Sequence, residues 1–144
     1  MDFASDLAHD LLAGLLYGIV GLLLQYAGYK VLDLLTPGKL GHMLVHDRRR
    51  DIGIVVAAAM LAVGAIVTSA IIASDGDLDR GLAETAGFGL IGILLLGIAF
   101  AAIDKITPGS LGHILTDEHE DPAVAYVTGA SLLSIGVIIA AAIS

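Results

Sequence analysis

The sequence contains no cysteine and no tryptophan, and only three prolines in 144 residues. Without cysteine there is no disulfide framework and no thiolate metal site. Positive charge is also scarce. Seven Lys and Arg stand against fifteen Asp and Glu, a formal net charge of −8. No basic stripe is available to neutralise phosphates, which excludes nucleic acid as a partner. The N-terminal stretch, with Asp2, Asp6 and Asp10, lacks the basic n-region of a signal peptide. Enzyme signatures are missing as well: there is no nucleophile elbow, no glycine-rich phosphate loop after a strand, and no Ser/His/Asp set in a convincing context. The expectation is a protein that is not an enzyme and holds no cofactor.

What the chain has instead is apolar length. Hydrophobic residues make up 57% and the mean hydropathy is +0.90, above the range of ordinary soluble domains. Charges cluster at the N-terminus and in three short patches, separated by apolar runs of about twenty residues or more, enough to cross a hydrocarbon core about 30 Å thick. Soluble core helices of that length carry a polar face, and these do not. The composition predicts an all-α membrane protein with four transmembrane helices, over residues 11–35, 52–73, 82–106 and 122–143.

One cassette is written twice. Asp33-Leu34-Leu35-Thr36-Pro37-Gly38-Lys39-Leu40-Gly41-His42 returns 71 residues later as Asp104-Lys105-Ile106-Thr107-Pro108-Gly109-Ser110-Leu111-Gly112-His113. At the same shift Gly18 falls on Gly89 and Gly21 on Gly92. The match predicts two tandem helical hairpins: a first repeat over residues 1–73, an acidic extracytoplasmic loop over 74–81, and a second repeat over 82–144. Each repeat has an even number of spans and inserts the same way up. The axis relating the halves therefore runs along the membrane normal, and a pseudo-twofold is expected.

Thr36-Pro37-Gly38 and Thr107-Pro108-Gly109 stop their helices, because proline pushes the preceding residue out of the α region and glycine permits the turn. After the first stop, Leu40, Met43 and Leu44 share one face of a short helix. Short amphipathic segments are thus expected at the interface after the first and third spans. Lys30, Lys39, Arg48, Arg49, Arg50 and Lys105 lie on the cassette side, against Arg80 alone on the other. By the positive-inside rule the Thr-Pro-Gly loops are cytoplasmic and both termini extracytoplasmic, in a multi-pass plasma-membrane protein.

The cassette, the paired hairpins and the Ala/Gly-rich second helices resemble domain of unknown function 350, the YjfL-like family of small bacterial and archaeal membrane proteins. The matching residues are Asp33, Thr36 and Pro37 with Asp104, Thr107 and Pro108, and the helices starting near Ile52 and Pro122. The resemblance covers essentially the whole chain, one copy per hairpin. Members often carry asparagine just before the second helix, where Asp51 and Asp121 stand here. The resemblance implies an integral plasma-membrane protein and no established activity.

Asp33 and Asp104 are the sharpest candidate site residues. Each lies near a helix C-terminus, where the macrodipole disfavours an anion, at the edge of hydrocarbon, where desolvation does too. As a pair facing each other across the axis they would bind a cation or proton, with Lys30 and Gln25 on the same pathway. As interfacial residues they would be held by Lys30, Lys105, Thr36 or Thr107. His42 and His46 are spaced i, i+4, yet there is no H-E-x-x-H glutamate and no third ligand. His42 and His113 therefore read as interfacial residues and no metal is assigned. Arg48, Arg49 and Arg50 set topology or contact anionic lipid or a cytoplasmic partner. Gly14, Gly18, Gly21, Gly64, Gly89, Gly92 and Gly136 are expected to pack helices together. Two readings follow: a homo-oligomeric membrane scaffold or interaction module, or an oligomeric ion or proton channel using Asp33 and Asp104.

Overall fold

The computed structural model describes residues 3–36, 40–45, 50–74, 77–106 and 122–144. These form α1 (Phe3–Leu35), α2 (Leu40–Val45), α3 (Arg50–Ile72), α4 (Leu78–Ile106) and α5 (Pro122–Ile143), and no strand occurs among the described residues. All but α2 are long and apolar enough to cross a membrane. In hydrocarbon every backbone N–H and C=O must be satisfied within its own segment, which makes continuous helix the available solution.

The expected spans are all present, with two starts earlier by a turn or more. α4 begins at Leu78 rather than near residue 82, and α1 at Phe3 rather than near residue 11. Asp6 and Asp79 sit in the first turns of these helices, where an anion is favoured by the macrodipole and helix extends past the apolar run. The short helix after the first span is α2. Its expected counterpart after the third span lies outside the described residues.

α3 is the hub and packs against all four other helices. Its buried residues, Ile52, Val55, Ala59, Ala62, Val63, Ile66, Val67 and Ala70, lie along one face of the helix. The rest of the helix is apolar too, so polarity does not mark that face, and small residues decide where neighbours come close. A Cβ on Gly28 would lie 2.7 Å from Val63 Cγ1, and Gly21 lies against Val67 and Ile71. As the α1 number rises the α3 number falls, so these helices are antiparallel.

The most extensive contact is α3 against α5. Gly129 faces Ala58, and Gly136 sits directly on Ala62, close enough that a Cβ there would be 2.7 Å from the Ala62 Cα. Here both numbers rise together and the helices are parallel. α1 and α4 also run parallel: Tyr17 covers Gly81, Leu24 covers Gly89, and Val31 covers Gly97. Gly92 of α4 receives Ile66 from α3 and Ile139 and Ile143 from α5.

The seven glycines expected to pack divide. Gly21, Gly89, Gly92 and Gly136 do, whereas Gly14, Gly18 and Gly64 have no other helix within 4 Å of where a Cβ would stand. Gly28, further along α1 from Gly21, makes a close approach as well, and so do Gly81, Gly97 and Gly129, which spacing alone did not mark.

Candidate site at the Asp33 corner

α1 ends by turning its last carbonyls onto nearby donors. The Thr36 backbone N–H donates to Leu32 O at 3.0 Å, and the Thr36 hydroxyl donates to the same carbonyl at 2.9 Å. Three residues earlier, Asp33 reaches forward across the corner, and its Oδ1 accepts the Leu40 backbone N–H at 2.9 Å. Leu40 opens α2, so the carboxylate takes one of the N–H groups a helix start leaves without an intrahelical partner. The Leu40 side chain is buried beneath, at 2% exposure. Asp33 thus ties the end of α1 to the start of α2, and α2 lies against α3.

Behind the corner lies a small cavity of about 20 Å³ bounded by Leu32, Thr36, Leu40, Ile52, Val55 and Phe100, among others. That is room for one water, but a buried water needs two to four polar partners. Its walls are aliphatic and aromatic apart from Thr36, whose hydroxyl is already donated to Leu32 O. The corner is a packed joint with a small apolar void.

Asp33 and Asp104 are not level with each other along the α1–α4 contact. Leu24 lies on Gly89 and Val31 on Gly97, a spacing of 65 to 66 residues where the sequence match has 71. Asp104 therefore falls more than one turn beyond the level of Asp33. Lys30 extends over the Tyr26 ring, its Nζ 5.6 Å from the ring centre, a cation–π contact on an exposed face. Gln25 donates from Nε2 to Met60 O at 3.1 Å, with the Met60 sulfur at 3.6 Å. It joins α1 to α3 and does not extend a polar path toward Asp33.

His42 is exposed on α2 and Arg50 is exposed at the start of α3, in keeping with interfacial positions. Pro37, Gly38, Arg48, Arg49, Thr107, Pro108, Gly109 and His113 lie outside the described residues. Among the described residues no three His, Asp or Glu side chains gather as metal ligands would. Two features had no sequence signal. The Leu40 amide becomes a partner of Asp33 only once the corner folds. Thr85, fully buried on α4, has a hydroxyl with no hydrogen-bond partner among the described residues.

The Gln25 contact has a measurable consequence. Gln25→Leu should lower stability by about 0.5–1.5 kcal/mol, the usual worth of one interhelical hydrogen bond in a membrane. Unfolding by SDS titration from mixed micelles measures it. A loss several times larger would mean that Gln25 does more than join α1 to α3.

Four apolar spans, a short helix tied to the end of the first, and a hydrogen bond from the Gln25 amide joining α1 to α3 define a polytopic helical membrane protein. The chain belongs to the family described as Domain of Unknown Function (DUF350), which matches residues 6–143. It is similar to a UPF0719 transmembrane protein of Mycolicibacterium paratuberculosis, 35% identical over 92% of this chain and 87% of the relative. UPF0719 transmembrane proteins of Mycobacterium bovis and Mycobacterium tuberculosis are each 37% identical over 97% of this chain and 91% of theirs. No solved structure matches the chain significantly.

Proposed function

We propose that the protein is a homo-oligomeric scaffold of the plasma membrane, which displays α2 and the flanking basic residues to the cytoplasm, and that it is not an enzyme. The single observation that carries this reading is the Asp33–Leu40 bond. The carboxylate best placed for transport is engaged in holding α2, next to a cavity with almost no polar lining. Orientation rests on the basic residues of the cassette side, with both termini outside and the Thr-Pro-Gly loops inside.

Two tandem copies of one hairpin underlie this reading, and packing supports them. Gly21 lies against Val67 and Ile71, while Gly92, 71 positions on, lies against Ile139 and Ile143, each 72 positions on. For the second helix of each hairpin the matching shift is thus 72, which also sets Gly136 on Gly64 and Pro122 on Arg50. The sequence alignment of Ile52 with Pro122 falls two residues short, because alanine-rich helices match one another at several registers.

The alternative is an ion or proton channel formed between copies, with Asp33 and Asp104 on its path. Its motive is the position of both acids at helix ends. A flux measurement separates the two. Liposomes holding the wild-type protein should pass protons and potassium no faster than empty liposomes. Flux above that background, lost in Asp33→Asn with Asp104→Asn, would replace the scaffold by the channel.

A further inference from the structure

We propose that copies of this chain join head to tail through an image of the chain's own hairpin-to-hairpin contact, with α4 and α5 of one copy seated on α1 and α3 of the next. The inference rests on the tandem-repeat, oligomeric reading above and specifies its interface.

If the two hairpins are equivalent, each contact between them has a counterpart, obtained by advancing the first residue one repeat and moving the second one repeat back. A closed two-fold pair would make both contacts within the chain. Here the counterparts are unmade, and in all but one of those below both members stand open. Leu24 covers Gly89, but the counterpart residues are Leu95, 47% exposed, and Gly18, with nothing within 4 Å. Val31 covers Gly97, but Ala102 and Tyr26 are exposed. Tyr17 covers Gly81, but Phe88 and Asp10 are exposed.

The second helices repeat the pattern. Ala62 meets Gly136, yet Ser134 is exposed and Gly64 has nothing within 4 Å. Ala58 meets Gly129, yet Ala130 and Ala57 are both exposed. Ile66 reaches Gly92, yet its counterpart Ile138 is 67% exposed and Gly21 meets only α3. The expected pseudo-twofold is therefore replaced by a sideways step. α3 packs on α4, as the step requires, while α5 makes no comparable contact with α1.

A step that does not close on itself leaves a donor face at one end and an acceptor face at the other. Such heterologous contacts propagate until the rotation completes a ring. The acceptor end is visible as an open groove of about 540 Å³ that includes Val127, Ala130, Ser131 and Ser134. Ala130 and Ser134 are the counterparts of Ala58 and Ala62, which hold Gly129 and Gly136 of α5 within the chain. The groove is therefore shaped for a helix like α5 with small residues at that spacing. α3 of a second copy is such a helix, presenting Ala57 and Gly64, and it has the up-down orientation needed in the same bilayer.

The natural absence of cysteine makes the test direct. One tagged copy carries Ala130→Cys, a second carries Ala57→Cys, and the two are co-expressed and oxidised in the membrane with copper phenanthroline. Both positions are open within a single chain, and retained helical circular dichroism confirms folding. Ala58→Cys with Gly129→Cys in one chain serves as the internal control. Because residue i meets j and not i in a heterologous contact, the mixed link should exceed either like-with-like link by about tenfold or more. Copy number is read on the same preparation in lipid discs by native mass spectrometry. Ser134→Trp should convert the assembly to single copies without loss of helix. Multiple copies without the mixed link, as when lipid tails fill the groove, or with links between two Ala130→Cys copies in equal yield, would overturn this interface alone. Single copies in the wild type would overturn the oligomeric reading as well.

Discussion

Gly136→Ala should destabilise the chain by about 1–3 kcal/mol, the cost of forcing a methyl group into a filled helix contact. The added Cβ would land on the Cβ of Ala62 and 2.7 Å from its Cα. Backbone has no rotamer in which to retreat, so α5 must move off α3 along their most extensive contact. Gly64→Ala makes the same chemical change on α3, at the position that the proposed repeat matches to Gly136, where nothing lies within 4 Å. In chains dispersed one per micelle it should shift stability by no more than about 0.5 kcal/mol, because an open surface substitution touches no packed neighbour. SDS titration of the two variants side by side measures the difference. Equal losses would show that the two positions are equally packed and that the hairpins are related by a closed two-fold after all.

Asp33→Ala should release α2 while leaving the four spans folded. The Asp33 Oδ1 is the acceptor for the Leu40 N–H, and leaving a buried donor without its partner costs about 1–3 kcal/mol. Hydrogen exchange of the α2 amides should therefore accelerate by about tenfold to a hundredfold, at 1.4 kcal/mol per factor of ten. The amides of α3 should be unaffected. Asp33→Asn retains a side-chain oxygen able to accept the same bond and should preserve most of the protection. If the Asp33→Asn chain exchanges as fast as the Asp33→Ala chain, charge rather than capping holds the corner, and the carboxylate regains its claim as an ion site.

Element type was legible in this sequence because lipid removes alternatives. Apolar runs as long as 52–73 cannot be strands in an open sheet, and Thr36-Pro37-Gly38 is a clear stop. The beginning of α1 was less legible. Ala4, Ser5 and Asp6 carry no apolar signal, yet they continue a helix already nucleated below them. Helix neighbours were legible only in part. Gly14 and Gly18 form a G-x-x-x-G, but a glycine pair states only that a backbone could come close, not that one from the same chain does. Gly28 and Gly97 pack tightly without any such motif, because Val63 and Val31 happen to project there.

The candidate site was legible as residues and not as chemistry. Asp33 was marked by its unfavourable place at a helix C-terminus. What offsets that penalty is an amide seven positions further on, which faces it only after the chain has turned from α1 into α2. Lys30, one turn away on the same helix, lies over Tyr26 instead. Local spacing favoured the lysine, and the folded corner supplied a backbone donor in its place.

At 33 residues α1 measures about 50 Å, whereas α3 with 23 measures about 35 Å, close to the thickness of a hydrocarbon core. The surplus sits at the end carrying Asp6, His9 and Asp10, all exposed. A bilayer that thickens or thins by a few ångströms thus meets one span that fits closely and another with several turns in reserve. Hydrophobic mismatch is then met by the packed bundle shifting or tilting as one body while the extra turns of α1 enter or leave the lipid, and the tight joints around α3 need not deform.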